Sequence, residues 1–402
     1  MPAKGAQVDV IVGGGVVGLS AAWRLAREGR PVTVVDPAPG MGASHAAAGM
    51  LAPVSEVAYT EAPLLRLGAA SLRRWPAFAA ELTAEVGAEV GVASSPGGGL
   101  ASRTGPGSGG GDLLDLRSDG TLDVAFGADD LAALDELAAF MEKLGLTVER
   151  LTGRECRRLE PMLAPSVRGG LLAPGDAWVD PRRVTAALLT ALERRGVPVV
   201  RARARELLRA GGTVTGTATG AVTGVRLDGP GGETLEAERV VLAAGAWSAE
   251  LAEVPVRPVK GQIMRLRSPH PLLTRCVRGT VHGSSVYLVP RGDGELVVGA
   301  TQEELGFDTR VTAGGLYELL RDARELVPGV TELEIGDVVA GLRPGTPDNL
   351  PLIGPSGTPG LTYATGHHRG GVLLAPLTTA ILLGEESELA ALCAPGRFRE
   401  IS

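Results

Sequence analysis

Apolar positions along this chain fall into two kinds of run. Short, nearly unbroken runs bounded by turn residues read as buried strands, and longer stretches with apolar residues three and four apart read as helices. Residues 8–12 (Val-Asp-Val-Ile-Val) form the first short run, with the near-continuous character of a strand covered on both faces. Gly13, Gly14 and Gly15 follow, and 16–29 carries helical spacing as far as Gly29, a residue suited to closing a helix. Pro31 to Val35 is a second apolar run, closed by Asp36 and Pro37. Strand, glycine turn, helix and strand within thirty residues predict the opening of a doubly wound, Rossmann-type sheet.

Helical patterning returns over 61–88 and over 128–144, the latter opened by Asp129 and Asp130. Between them, 92–111 is dominated by Gly, Ser and Pro and reads as a mobile surface loop. Asp180-Pro181 starts a further helix, a capping residue followed by proline at the first helical position, running to Arg195. The segment 197–243 alternates, carries turn signals at 211–220 and 229–232, and reads as strands ending in Val240 to Gly245. Residues 255–300 are strand-rich, 313–327 helical, and 371–384 a final apolar helix; there is no internal repeat.

Composition narrows the class. The 402 residues are 44% hydrophobic and 21% charged, ordinary for a soluble globular chain. No uncharged apolar stretch reaches the ~18 residues a membrane helix needs. The first strand starts so early that no signal peptide is expected, which points to the cytoplasm. A net charge of -7 offers no basic surface for nucleic acid or acidic lipid. Lys4, Lys143 and Lys260 are the only lysines, so arginine is abundant here and a single arginine says little. Cys156, Cys276 and Cys393 are far apart and without metal spacing, so neither a disulfide framework nor a metal site is expected.

Gly13-x-Gly15-x-x-Gly18 stands where a dinucleotide site needs it, after a strand and opening a helix. The first glycine permits the tight turn, the second lets pyrophosphate approach the backbone, and the third lets helix and sheet pack closely. Amides at the helix start, around Val16 and Val17, favour phosphate. Asp36, 18 residues after Gly18, is placed to accept from a ribose and disfavours a 2′-phosphate. This turn alone does not separate FAD from NAD.

Other segments do. Gly42 to Pro53 (Gly-Ala-Ser-His-Ala-Ala-Ala-Gly-Met-Leu-Ala-Pro), Val240 to Ser248, and Arg257-Pro-Val-Lys-Gly-Gln262 accompany Ala-Gly-Leu-Arg-Pro-Gly-Thr-Pro-Asp-Asn at 340–349. Gly366-His-His-Arg-Gly-Gly-Val-Leu-Leu-Ala-Pro376 opens the last helix. Together they resemble the D-amino acid oxidase family of FAD-dependent oxidoreductases, and within it the glycine-oxidising members of thiamine biosynthesis. The resemblance spans nearly the whole chain apart from 92–111. It implies an α/β fold (α+β overall) with a Rossmann-type FAD-binding domain, discontinuous in sequence, and a second, antiparallel-sheet substrate domain. The FAD-binding parts would be 1–85, 180–253 and 333–402, and the substrate-domain parts 86–179 and 254–332. The implied activity is oxidation of glycine, or of related small amines and D-amino acids, to the imine by hydride transfer to FAD. Oxygen would then yield hydrogen peroxide, and the imine would give glyoxylate and ammonia or feed thiazole synthesis. The family often forms homo-oligomers, tetramers among them. A D-amino or N-methyl amino acid dehydrogenase with an acceptor other than oxygen, and a flavin-binding subunit without its own turnover, stay open as alternatives.

The resemblance also assigns residues. Arg343 matches the arginine that grips the substrate carboxylate, work suited to a planar guanidinium with two parallel donors. Tyr287 matches a tyrosine beside that carboxylate and Met50 a methionine of the apolar wall. Arg369 is placed with the substrate as well as the flavin. For the cofactor, Asp36 and Pro37 would hold the adenosine ribose, and the strand around Val199–Arg205 would meet adenine through its backbone. Ala43, Ser44, Ala48 and Gly49 would lie beside pyrophosphate and flavin, with Gly245 near them. His367, His368, Gly370, Gly371, Val372 and Leu373 belong to the segment around the flavin ring. The histidines are read as lining, since hydride transfer from a neutral amine needs no side-chain base. His282, Ser284, Ser285 and Gln302 depart from the family and bear on fine substrate preference. Relatives that attach FAD covalently carry a cysteine near the position of Gly341; none stands here, so FAD is expected to be non-covalent.

Overall fold

The computed structural model describes residues 8–56, 61–87, 112–210, 220–229 and 231–401. The 92–111 stretch and most of the 211–220 turn lie outside them. Asp9–Val12 is the centre of a six-stranded sheet in the order Leu352–Pro355, Leu361–Thr365, Arg239–Leu242, Asp9–Val12, Val32–Val35, Val199–Val200. All neighbours run parallel except the outermost pair, Leu352–Pro355 with Leu361–Thr365. Alternate residues of the central strand serve two cores, as a strand covered on both faces must. Ile11, Val34 and Val241 pack with the helices Val16–Arg27, Pro181–Arg194 and Gly371–Leu382. Val10, Val12, Val240 and Leu242 face a small three-stranded sheet built from Ala204–Arg209, Val222–Leu227 and Thr234–Glu236.

The helical stretch 61–88 is two helices, Ala62–Leu72 and Trp75–Val86. The break sits just before Pro76, which lacks an N–H and is best accommodated in a first turn. Asp180 caps Pro181–Arg194 as expected, its carboxylate accepting from the amides of Arg182 (2.8 Å) and Arg183 (3.4 Å). Among the described residues no helix is long and apolar enough to cross a membrane.

The second layer is an eight-stranded sheet. Its order is Glu334–Gly345, Arg257–Arg267, Glu295–Gly299, Ser284–Pro290, Cys276–Val281, Thr121–Ala125, Gly169–Ala173, Glu149–Thr152. It is antiparallel apart from the parallel pair Cys276–Val281 with Thr121–Ala125. Glu334–Gly345 pairs along its length with Arg257–Arg267, so the chain returns to the six-stranded sheet only after 345, later than the 333 read from the sequence. One face packs on the helix Ala313–Leu326. On the opposite face a single row of in-register residues crosses five strands: Ile263, Gly299, Tyr287, Arg278 and Asp123. Neighbours in such a row point the same way, so this row forms one wall. The three cysteines are all buried, and burial pushes the thiols of Cys156, Cys276 and Cys393 up to about 11, about 12 and about 12.

Candidate active site

A cavity of about 1190 Å³ runs from the glycine turn, between the two sheets, to the row across the large sheet. At the turn, Gly13 has a φ of +113°, and a Cβ at Gly18 would fall 1.9 Å from the Gly13 carbonyl oxygen. The helix start is therefore pressed against the turn, and Gly18 serves that packing without lining the cavity. Gly13, Gly15, Val16 and Val17 line it. No side chain caps the helix at Gly15 and no acid stands in its first turn, although the Ser44 hydroxyl accepts from the Val16 amide at 2.9 Å. The start thus keeps its positive character toward the cavity.

Asp36 and Pro37 lie on the same stretch of wall. The Asp36 carboxylate accepts from the amides of Gly14 (2.6 Å) and Ala38 (2.7 Å), which fixes it at the strand end. Arg203, Ala204, Trp247 and Glu250 close this end, Arg203 and Glu250 being paired at 2.6 Å. The Arg205 side chain is 55% exposed and stands 3.8 Å from Asp228, outside the cavity, so only its backbone is left to meet adenine. Strand alternation turns Ala204 inward and Arg205 outward.

Ala43, Ser44, Ala48, Gly49 and Met50 form one side of the middle section, and Gly245 another. Met50–Leu51 pairs with Ala177–Trp178, which holds Met50 against the cavity. His367, His368, Arg369, Gly371 and Val372 border it at the start of the last helix, which also has no side-chain cap. Gly370 and Leu373 do not border it, a correction. Leu373 sits in the helix-side core, and its carbonyl accepts from the Ser71 hydroxyl (2.6 Å) and Trp75 Nε1 (3.0 Å). Burial pushes His367 down to about 3, and burial with the Arg369 charge pushes His368 down to about 4, so both rings are neutral near pH ~7. His367 Nε2 bonds Thr378 Oγ1 at 2.9 Å, whereas His368 Nδ1 is buried with no partner among the described residues. An orphaned ring nitrogen on a cavity wall fits a bound group that supplies the missing partner.

At the far end the guanidinium of Arg343 lies flat over Gly261, where a Cβ would be 2.4 Å from Nη1. It donates to the carbonyls of Thr301 (3.2 Å) and Lys260 (3.4 Å). The Tyr287 ring lies over Gly299 in the same manner, hydrogen-bonded to Arg343, and burial raises its phenol. Two side-chain-free positions in the sheet thus give the arginine and the tyrosine room to lie on it. Arg369 is engaged elsewhere, paired with Glu61 and donating to the Glu56 carbonyl at 3.1 Å. Ser285 and Gln302 line the cavity, and His282 pairs with Asp322 at 3.1 Å outside it. Among the described residues no cysteine lines the cavity, which leaves no thiol for covalent attachment.

Sequence reading missed Glu56, Asp123 and Arg278, all on the cavity wall. The signal for Asp123 and Arg278 is a charge inside an otherwise apolar strand, in Thr-Leu-Asp-Val-Ala and Cys-Val-Arg-Gly-Thr-Val. Behind them, Asp176 accepts from the Val54 amide (3.2 Å), the Ser55 amide (3.1 Å) and the Ser55 hydroxyl (2.5 Å). Burial pushes its carboxyl from 3.8 up to about 6, against these bonds. A raised carboxyl stabilises the fold most below its ordinary value, and the contribution fades as pH rises through the folded value. The size is on the order of 3 kcal/mol. In urea unfolding, the stability of the wild type relative to Asp176→Asn should therefore fall by about that amount between pH ~4 and ~7. A difference flat in pH would remove the raised carboxyl.

A family profile described as FAD dependent oxidoreductase (DAO) matches residues 10–384. The chain is 35% identical to a bifunctional ThiO/ThiG protein of a Nostoc species over 93% of its own length, and it spans about half (51%) of that relative. It is 33% identical to a glycine oxidase of Geobacillus kaustophilus, covering 96% of this chain and 94% of the relative. The crystal structure titled glycine oxidase from the same organism superposes with a TM-score of 0.81 at 32% identity, covering 98% of this chain and 99% of that one.

Proposed function

Since the chain belongs to the DAO family of FAD-dependent oxidoreductases, we propose that it is a glycine oxidase. In this reading it converts glycine, and related small amines or D-amino acids, with oxygen to the imine, and thence to glyoxylate, ammonia and hydrogen peroxide. The bound FAD supplies the hydride acceptor. The chain supplies the rest. The amides at the start of Val16–Arg27 face the pyrophosphate, and Asp36 the adenosine ribose. The start of the last helix, with Gly371 and Val372, brings a positive dipole to the flavin ring. Arg343 and Tyr287 hold the substrate carboxylate and so orient the α-carbon; Met50 walls the site and keeps water out. Arg369, tied to Glu61, shapes the wall and does not grip the carboxylate.

The observation that carries this reading is the pair of side chains lying flat over Gly261 and Gly299, a fixed planar fork for one small carboxylate at the end of a dinucleotide-sized cavity. We further place the protein in the cytoplasm as a homo-oligomer that supplies imine to thiazole synthesis. The likeness to the ThiO/ThiG protein supports the thiazole role, and three unpaired buried thiols fit a reducing compartment.

The test is anaerobic mixing of the purified protein with glycine while the oxidised flavin absorbance is followed, then admission of oxygen. Bleaching followed by recovery with one peroxide per glycine is expected. Bleaching that oxygen does not reverse would instead favour a dehydrogenase with another acceptor. A flavin that glycine leaves oxidised would overturn the glycine assignment.

A further inference from the structure

The charges around the substrate end of the cavity nearly all have partners. Arg278 stands between Tyr287 and Asp123 in the row across the sheet; its Nε is 3.2 Å from Asp123 Oδ2, and its Nη1 donates to the Ser55 carbonyl at 2.7 Å. Arg369 is answered by Glu61. Lys260, behind Arg343, is buried between Glu303 and Asp308, each at 3.4 Å. Asp130 caps its helix by accepting from the amides of Phe126 (3.1 Å) and Gly127 (2.8 Å). Asp129 and Glu136 are exposed on the same helix at the outer mouth. His367 and His368 are neutral.

Two groups are left unmatched. Arg343 has only carbonyl oxygens and the Tyr287 phenol as partners. The Glu56 carboxylate, on the cavity wall, has no hydrogen bond or ion pair among the described residues, and its field reaches both Arg278 and Tyr287. The backbone that carries it is nonetheless held. Asp176 holds the amides of Val54 and Ser55, Arg278 holds the Ser55 carbonyl, and Arg369 holds the carbonyl of Glu56 itself. One cation and one anion, neither paired with an opposite charge among the described residues and both acting on the same tyrosine, are the complement of a zwitterion.

We propose that Glu56 receives the ammonium group of a substrate whose carboxylate lies on Arg343, so that this end of the cavity selects α-amino acids over 2-hydroxy acids and dicarboxylates. The assignment rests on the amino acid oxidase reading and adds the group that recognises the amine. A 2-hydroxy acid leaves Glu56 unpaired, and a second carboxylate meets it with like charge.

The experiment titrates FAD-loaded wild type, Glu56→Gln and Glu56→Asp anaerobically with glycine and with glycolate, which carries a hydroxyl where glycine has its amine. Displacement of the flavin band reports binding whether or not turnover follows. Glu56→Gln is expected to weaken glycine by roughly ten- to a hundredfold while glycolate changes by less than about threefold or binds tighter. Glu56→Asp keeps most of the preference for glycine. Equal weakening of both ligands is what a purely structural role would give and overturns the proposal, as does unchanged glycine binding. If Glu56→Gln does not retain flavin, Glu56→Asp decides by the same comparison, and a wild type that binds glycolate as tightly as glycine overturns it. Should glycine fail to bleach the wild type, the oxidase reading falls, and the ratio of the two binding constants still tests Glu56.

Discussion

Arg343→Ala is expected to weaken glycine binding by about 2–5 kcal/mol, a rise in Kd from about thirtyfold to several thousandfold. The size follows from geometry already in place. The guanidinium is pinned over Gly261 by the carbonyls of Thr301 and Lys260, so its remaining donors are set before any ligand arrives. Little ordering is left to be done on binding, and a carboxylate meets two parallel donors. Truncation removes the unmatched cation and strands the ligand's carboxylate beside the Glu56 charge. Arg343→Lys restores charge without the fork and should recover only part of the loss. The measurement is the glycine dependence of anaerobic flavin bleaching; a Kd for Arg343→Ala near the wild-type value would remove this residue from the site.

Gly18→Ala should leave a folded protein that loses its FAD. The added methyl falls 1.9 Å from the Gly13 oxygen and 3.3 Å from the Ala243 side chain, a collision with backbone that no rotamer relieves. The helix must back away from the turn, carrying its first amides out of line with the pyrophosphate. Overpacking of this kind costs about 1–3 kcal/mol, and FAD affinity should fall by about ten- to a hundredfold. Visible flavin absorbance per protein after desalting, read beside the thermal midpoint, checks it. Full flavin retention with an unshifted midpoint would show that the helix does not press on the turn in this way.

The parts legible in the sequence were those governed by neighbours in the chain. The first strand, its glycine turn and helix follow from periodicity and from the backbone needs of Gly13, and the Asp180-Pro181 helix start follows from capping chemistry. Motif resemblance brought in Arg343, Tyr287 and Met50, which do line one cavity. The backbone match around Val199–Arg205 names a segment, while alternation decides that Ala204 and not the Arg205 side chain faces in. Leu373 was misplaced because its neighbours Gly371 and Val372 face the cavity, and one more residue of helix turns away from it. Asp123 and Arg278 could not be paired from sequence, since 155 positions separate them and only the parallel registry of their strands brings them side by side. Glu56 stayed invisible for a similar reason. Its meaning comes from the inner-cavity charges around it being answered, all but Arg343.

The cysteines carry a consequence for the working life of such an enzyme. Thiolate, not thiol, is what peroxide attacks, and all three thiols are buried and held well above neutral pH. If the proposed oxidase reaction releases hydrogen peroxide at every turnover, these thiols stay out of the reactive form while the chain is folded. Among the described residues, the sulfur that lines the cavity is thioether, in Met41 and Met50. Its first oxidation product is a sulfoxide, which cells can reduce.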